Sequence, residues 1–231
     1  MSRIQTSSMY LDLDAQRAWI QRVYAWMVGG LLTTGVTAFG IASMPALQAA
    51  IFGSPLIYVF MFLPLGMVLF LSARIEHMKA SKALGTFIAY AMANGVAFSS
   101  IFLVYDLGSV ASTFFIAAAM YAAAAVYGYT TKRDLASMGS FMVMGVFGLL
   151  IAMVVNWFLG SSIVEMGISV LGVIIFTGLT MWDMQRIKEE YVLEGQSSSV
   201  AAKGAVMGAL RLYLNFVNLF LFLLRLLGSR R

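Results

Sequence analysis

The chain has no cysteine, one histidine and three prolines, and its 231 residues carry only fifteen Lys or Arg and ten Asp or Glu, 11% in all. Each shortage excludes something. Without cysteine there are no disulfides, no thiolate metal sites and no cysteine nucleophile. A soluble domain of this size carries about 25% charged residues. With 61% hydrophobic residues and a mean hydropathy of +0.88, no soluble packing could hide the apolar surface. The net charge of +5 is small and spread over loops, so it marks orientation in a bilayer and does not point to a nucleic-acid partner. The N-terminus lacks a short apolar core followed by a small-residue cleavage site. The first span is therefore expected to act as an uncleaved insertion signal.

What the chain does have is long apolar runs. A spanning helix needs roughly 20 mostly apolar residues, and six runs qualify, at about 20–43, 54–73, 83–105, 110–129, 138–159 and 163–182. A seventh, at about 205–227, holds Arg211, Asn215, Asn218 and Arg225 among leucines and phenylalanines. The expected fold class is an all-α polytopic membrane protein with seven transmembrane helices. It forms one domain over residues 19–231 after a tail of residues 1–18. Pro45 and Pro55 flank the first loop, and Pro64 inside the second span predicts a kink.

Loop charge alternates. Arg3, Arg17 and Arg22 lie at the N-terminal end. Arg74, Lys79 and Lys82 follow the second, Lys132 and Arg133 the fourth, and Arg186, Lys188 and Lys203 the sixth. The intervening loops hold only Asp106 and Glu165. The positive-inside rule then puts the N-terminus in the cytoplasm. Seven spans place Arg230 and Arg231 outside, against that trend. The stretch at about 184–203 reads as a flexible cytoplasmic loop.

The seventh span has a polar face. At about 100° per residue, Arg211, Asn215, Asn218 and Arg225 fall within roughly 80° of one another. Each Arg at a helix centre costs about 2.5–3.5 kcal/mol on insertion scales. The stripe should therefore meet other helices or a water-filled cavity, as structural glue, as a lining, or as both. Asp183 closes the sixth apolar run, and an acid inside a bilayer defaults to a functional hypothesis. The lone His77 sits in a charged loop with no metal-site companion. Asp106 and Glu165 read as solvated loop charges. Asp134 is expected to cap the helix that follows it.

Enzyme chemistry finds little support. There is no HExxH, no nucleotide-binding glycine loop, and no second carboxylate embedded in a span beside Asp183. The expectation is a protein that is not an enzyme and has no cofactor and no assignable metal site.

Three runs resemble a known family. They are YGYTTKRDLASMGS from Tyr127 to Ser140, FTGLTMWDMQ from Phe176 to Gln185, and GALRLYLNFVNLF from Gly208 to Phe220. Together they resemble the signatures of the transmembrane Bax inhibitor motif family, and the terminal LLRLLGSRR looks like its bacterial branch. The resemblance implies three helix hairpins around a central seventh helix, in a bacterial inner membrane. It also implies a pH-sensitive calcium leak, with calcium bound only transiently. The family's gate is a pair of acids, one in the sixth helix and one in the seventh. Those positions map to Asp183 and to Asn215, which is not acidic.

That departure has a physical consequence. Two close carboxylates resist double ionisation, which makes such a pair titrate near neutral pH. An Asp–Asn pair lacks this like-charge term, although the amide can still donate or accept a hydrogen bond. The pH response should be weaker than in a two-acid relative, or shifted to lower pH. Arg74 and Arg211 are the candidate countercharges for Asp183, and Asn218 and Arg225 extend the polar face. One difficulty is geometric. Asp183 ends the sixth apolar run, whereas Asn215 lies about ten residues, roughly 15 Å, into the seventh. For the two to touch, one helix must run beyond its hydropathic limits. The alternative reading is a non-conducting regulator that binds other membrane proteins, such as a quality-control protease. Its handle would be the tail Met1–Arg17 or the Glu-rich segment 189–199. A metabolite exporter is a third option.

Overall fold

The structure is a computed structural model, which describes residues 3–194 and 198–231. Among these the chain is all α. In order it forms α1 (Arg3–Ala42), α2 (Pro45–Phe52), α3 (Leu56–Arg74), a 3-10 turn (Ile75–His77) and α4 (Ala80–Phe98). Then follow α5 (Ile101–Val104), α6 (Leu107–Thr130), α7 (Ala136–Leu159), α8 (Ser162–Glu194) and α9 (Ser198–Leu227). Seven segments are long and apolar enough to cross a membrane. They are Asp14–Ala42, Leu56–Arg74, Ala80–Val104, Leu107–Thr130, Ala136–Leu159, Ser162–Tyr191 and Val200–Leu227.

Local chemistry explains the boundaries. Pro45 opens α2, where its missing N–H costs nothing. α3 continues through Pro64. The third span is broken at Ser99 and Ser100, whose hydroxyls turn back onto the Val96 and Ala97 carbonyls at 2.7 and 2.8 Å. α7 stops at Gly160, which holds φ +62 and lets its N–H reach the Asn156 carbonyl. Asp134 accepts the Ala136 N–H at 2.8 Å from one residue before the N-cap, which is Leu135 and not Asp134 as expected.

The expected loop at about 184–203 is corrected. α8 runs to Glu194 and α9 begins at Ser198, with 195–197 outside the described residues. Hydropathy falls after Trp182, but helix-forming residues continue: Met184, Gln185, Lys188, Glu189 and Glu190. Met184 and Ile187 also keep an apolar stripe buried at helical spacing. A hydropathy window stops the helix where its surface becomes polar, and the helix itself does not stop there.

The chain divides into two compact units. One comprises Met1–Ile101 with Ile187–Leu210, and the other Phe102–Arg186 with Arg211–Arg231. In the first, α1 packs on α4 through close backbone approach. A Cβ on Gly95 would lie 2.6 Å from Thr37 Cβ and 2.7 Å from the Thr34 carbonyl. The Thr34 hydroxyl donates to the Ala91 carbonyl at 2.9 Å. Trp19 is buried. Its indole N–H donates to the Ala201 carbonyl at 2.7 Å, and its ring meets Tyr191 at 5.7 Å. Gln16 donates to the Lys188 carbonyl at 3.0 Å. Gln16, inside the expected tail, and Trp19, next to it, thus tie α1 to the ends of α8 and α9.

Candidate functional site

In the second unit, α8 and α9 bring Asp183 and Asn215 together. The Asn215 Nδ2 donates to Asp183 Oδ2 at 2.7 Å, and the two residues are 6% and 5% exposed. Among the described residues Asp183 is the only acidic or basic side chain that is buried. At this length the bond lies at the short end of the range for N–H···O hydrogen bonds. The geometric difficulty is resolved by α8, because Asp183 lies eleven residues, about three turns, before Glu194. The helix carries the carboxylate inward, past the point where hydropathy ends the span.

The surroundings fix the angular position of Asp183 on α8. Gly128 of α6 lies against the Met181 carbonyl, and Gly139 of α7 lies against the Trp182 ring, so a Cβ at either glycine would clash. Gln185 ties the α6–α7 connection to α8. Its Oε1 accepts the Leu135 N–H at 2.9 Å, and its Nε2 donates to the Arg133 carbonyl at 2.8 Å. The Arg186 guanidinium sits 5.6 Å from the centroid of the Trp182 ring. On α9, Tyr213, Leu212 and Leu219 are fully buried around Asn215. Phe216 meets Phe114 and Tyr121 edge to face at 5.4 and 5.5 Å.

α9 is the most buried span. In its most apolar window 67% of residues are buried, against 11% to 39% for the other spans. Burial extends to Leu223 and Leu224, opposite the polar stripe. Asn215 and Asn218 line a cavity of about 400 Å³ whose other walls are apolar side chains of α7, α8 and α9.

The remaining candidates are placed as follows. Arg211 lies on α9 one turn before Asn215 and is half-buried. Arg225 is exposed in the last turn of α9, 5.6 Å from the Phe222 ring centroid. Arg74 is exposed in the last turn of α3, in the other unit, and makes no ion pair among the described residues. His77 is exposed in the 3-10 turn. Among the described residues no three His, Cys, Asp or Glu side chains gather as a metal cage.

Asp106 and Glu165 are exposed, but each has a partner. The segment after α9 folds back as a strap on the turn before α6. Asp106 N–H donates to the Ser229 carbonyl at 3.1 Å, Arg231 N–H to the Val104 carbonyl at 3.0 Å, and Ser229 N–H to the Ser109 hydroxyl at 2.8 Å. Arg231 then pairs with Asp106 at 3.1 Å and Arg230 with Glu165 at 3.3 Å. The Tyr105 hydroxyl, more than Glu165, holds the Arg230 guanidinium above its usual pKa. The two arginines that oppose the positive-inside pattern are thus countercharges to the two acids of the loops expected outside. Sequence reasoning missed this pairing, although two acids and two unmatched arginines were its signal. It also missed Gln185, Gly128 and Gly139, which stand inside the quoted runs without a role.

Comparison with known proteins agrees with the sequence runs. The family model described as inhibitor of apoptosis-promoting Bax1 matches residues 16–231. The chain belongs to the Bax inhibitor family. Among its relatives, the inner membrane protein YbhL of Escherichia coli is 38% identical over 217 residues, covering 93% of each chain. Protein RP147 of Rickettsia prowazekii is 41% identical over 218 residues, covering 94% of this chain and 92% of its own. YrjE of Lactococcus lactis is 38% identical over 221 residues, with 93% and 92% covered. The match to this family spans the Asp183–Asn215 pair, Gln185, both close-packed glycines and the terminal strap alike.

Proposed function

We propose that this Bax inhibitor family protein is a passive, proton-regulated cation leak of the inner membrane and not an enzyme. Calcium is the cation that the family resemblance implies, carried as substrate and not held as a cofactor. The observation that carries the reading is the buried Asp183 bonded to Asn215 at 2.7 Å inside a span. An ionisable group at such a position is costly and marks pathways and proton-sensing sites. Its localisation follows YbhL, whose name calls it an inner membrane protein. The cytoplasmic placement of the N-terminus follows loop charge.

The pair can pass between two bonded states. With Asp183 ionised, the carboxylate accepts from the Asn215 Nδ2. With Asp183 protonated, its hydroxyl can donate to the amide oxygen once the amide turns over. Neither state contains two like charges, so protonation relieves no repulsion. The amide re-orients instead, which favours a weaker pH response than a pair of acids gives, or one at lower pH. Arg211, one turn away on α9, is the basic side chain of the same unit that would compete for the ionised carboxylate.

Purified protein in vesicles loaded with a calcium dye should leak calcium, and Asp183→Asn should change both the rate and its pH dependence. Flux no greater than in protein-free vesicles at every pH would reject the leak. It would favour the regulator of other membrane proteins, for which deletion of residues 1–17 should abolish partner capture. Residues 1–13 of that handle, and 192–199 of the other, fall outside the described side chains.

A further inference from the structure

The terminal strap is held differently from the helices it ties. Gly228, Ser229, Arg230 and Arg231 bring no apolar side chain, and the last three are exposed. Gly228 packs on Tyr105, where a Cβ would come within 2.7 Å of the ring, and the Arg230 guanidinium stands 5.9 Å from the ring centroid. The rest of the hold is polar. It consists of the three backbone N–H bonds and the pairs Arg231–Asp106 and Arg230–Glu165, whose side chains are half-exposed. Exposed pairs are weak and yield to salt. Segments with few buried apolar contacts open locally, without unfolding of what they rest on. The strap can therefore lift while α6, α8 and α9 keep their own packing.

What the strap covers gives its opening a consequence. Asp106 and Glu165 are the only charged residues of the loops expected outside. Asp106 stands at the N-cap of α6 and Glu165 in the first turn of α8. Docked, the strap sets one arginine against each acid. It also ties the end of α9, which carries Asn215, to the start of α8, which carries Asp183. Lifted, it leaves both carboxylates bare. Unmatched charge of one sign raises the local concentration of the opposite ion. A purely structural tie gains most from burying an apolar side chain, and this strap buries none of its own.

We propose that residues 228–231 form an ionic latch, released by ionic strength, in which Arg230 and Arg231 mask Glu165 and Asp106 from entering cations. Docked, the latch cancels the charge at this end of the unit and joins α9 to α6 and α8. Released, it uncovers both carboxylates and frees the end of α9. The release stands on the strap's own contacts. Its effect on cation entry rests on the leak proposed above.

The chain has no cysteine, so a single nitroxide can be placed at Ser229→Cys in the full-length protein in lipid nanodiscs. Ser229 engages through its backbone, which leaves its side chain for the label. The mobile part of the spectrum should grow at least about threefold between about 0.01 M and about 1 M sodium chloride, as the Debye length falls from about 30 Å to about 3 Å. With Arg230→Gln and Arg231→Gln added, it should be high already at low salt. With Arg230→Lys and Arg231→Lys instead, the salt response should persist. A label at Gly108→Cys, where a Cβ meets nothing within 4 Å, should not respond. A Ser229→Cys spectrum indifferent to salt and to the glutamines would overturn the latch. In vesicles loaded with a calcium dye, the double glutamine variant should pass calcium at least about twofold faster than wild type at low salt, and converge with it at high salt. Equal flux at low salt, in a variant whose label shows the strap lifted, would overturn the masking of the acids. If the wild-type protein passes no calcium, the leak itself fails, and the latch is judged on the spectra.

Discussion

The Asp183–Asn215 pair and the terminal strap both join elements of the same compact unit, and they are built in opposite ways. The pair is buried, set among close-packed glycines and aromatic rings, and rests on a short bond between one acid and one amide. The strap is exposed and spreads its hold over three bonds from backbone N–H groups and two ion pairs of half-exposed side chains. Burial raises the stakes of each polar group, because an abandoned partner has no water to turn to. Exposure lowers them, because water and salt replace whatever is lost. One region is therefore suited to respond to a single proton, and the other to tolerate change.

The sharpest way to break this contrast is steric. Gly128→Leu puts a side chain against the Met181 carbonyl, a backbone atom that cannot swing aside. Overpacking of this kind costs about 1–3 kcal/mol or more. We expect loss of folded protein, read by thermal unfolding in detergent, while Gly108→Leu beside the strap, where a Cβ meets nothing within 4 Å, should be nearly silent. Next comes the pair itself. Asn215→Leu should cost about 1–3 kcal/mol by leaving the carboxylate short of a donor, and adding Asp183→Leu should recover part of that loss. Strict additivity in this double-mutant cycle would mean that the 2.7 Å bond contributes nothing to stability.

Asn215→Asp restores a second acid and should move the pH response of calcium flux toward neutral. An unchanged profile would remove the like-charge argument. Gln185→Ala should cost about 1 kcal/mol, with any effect on flux secondary to movement of the α6–α7 connection. The smallest effect is at the strap. Arg230→Gln with Arg231→Gln should cost under about 1 kcal/mol, and the difference from wild type should shrink as salt rises. A large, salt-independent loss there would erase the contrast between the two regions.

Much of the fold was legible because its signal is strong and local. Runs of apolar residues mark spans two to five to within a few residues, and the seventh was recognised by its odd polar content. The ends of spans six and seven were misread for a physical reason. Hydropathy registers what a helix shows to its surroundings, whereas α8 persists because Met184 and Ile187 are buried and the polar residues between them still favour helix. The Asp183–Asn215 contact came from the family motifs, not from spacing. Spacing argued against it until α8 was seen to run on to Glu194. Gln185 and the two glycines were invisible as contributors because their partners lie some forty to fifty residues away in sequence. A glycine carries no chemical mark of what presses against it.

The Gln185 clamp also ties two movements into one. Its side chain holds the Arg133 carbonyl and the Leu135 N–H, two residues beyond Asp183 along the same helix. Any rotation or slide of α8 that re-aims the carboxylate must either drag the connection between α6 and α7 with it or break both bonds. Lys132, exposed on that connection, is thus a remote pointer to the buried acid. A spectroscopic label placed there would report, from the water side, what a single proton does inside the membrane.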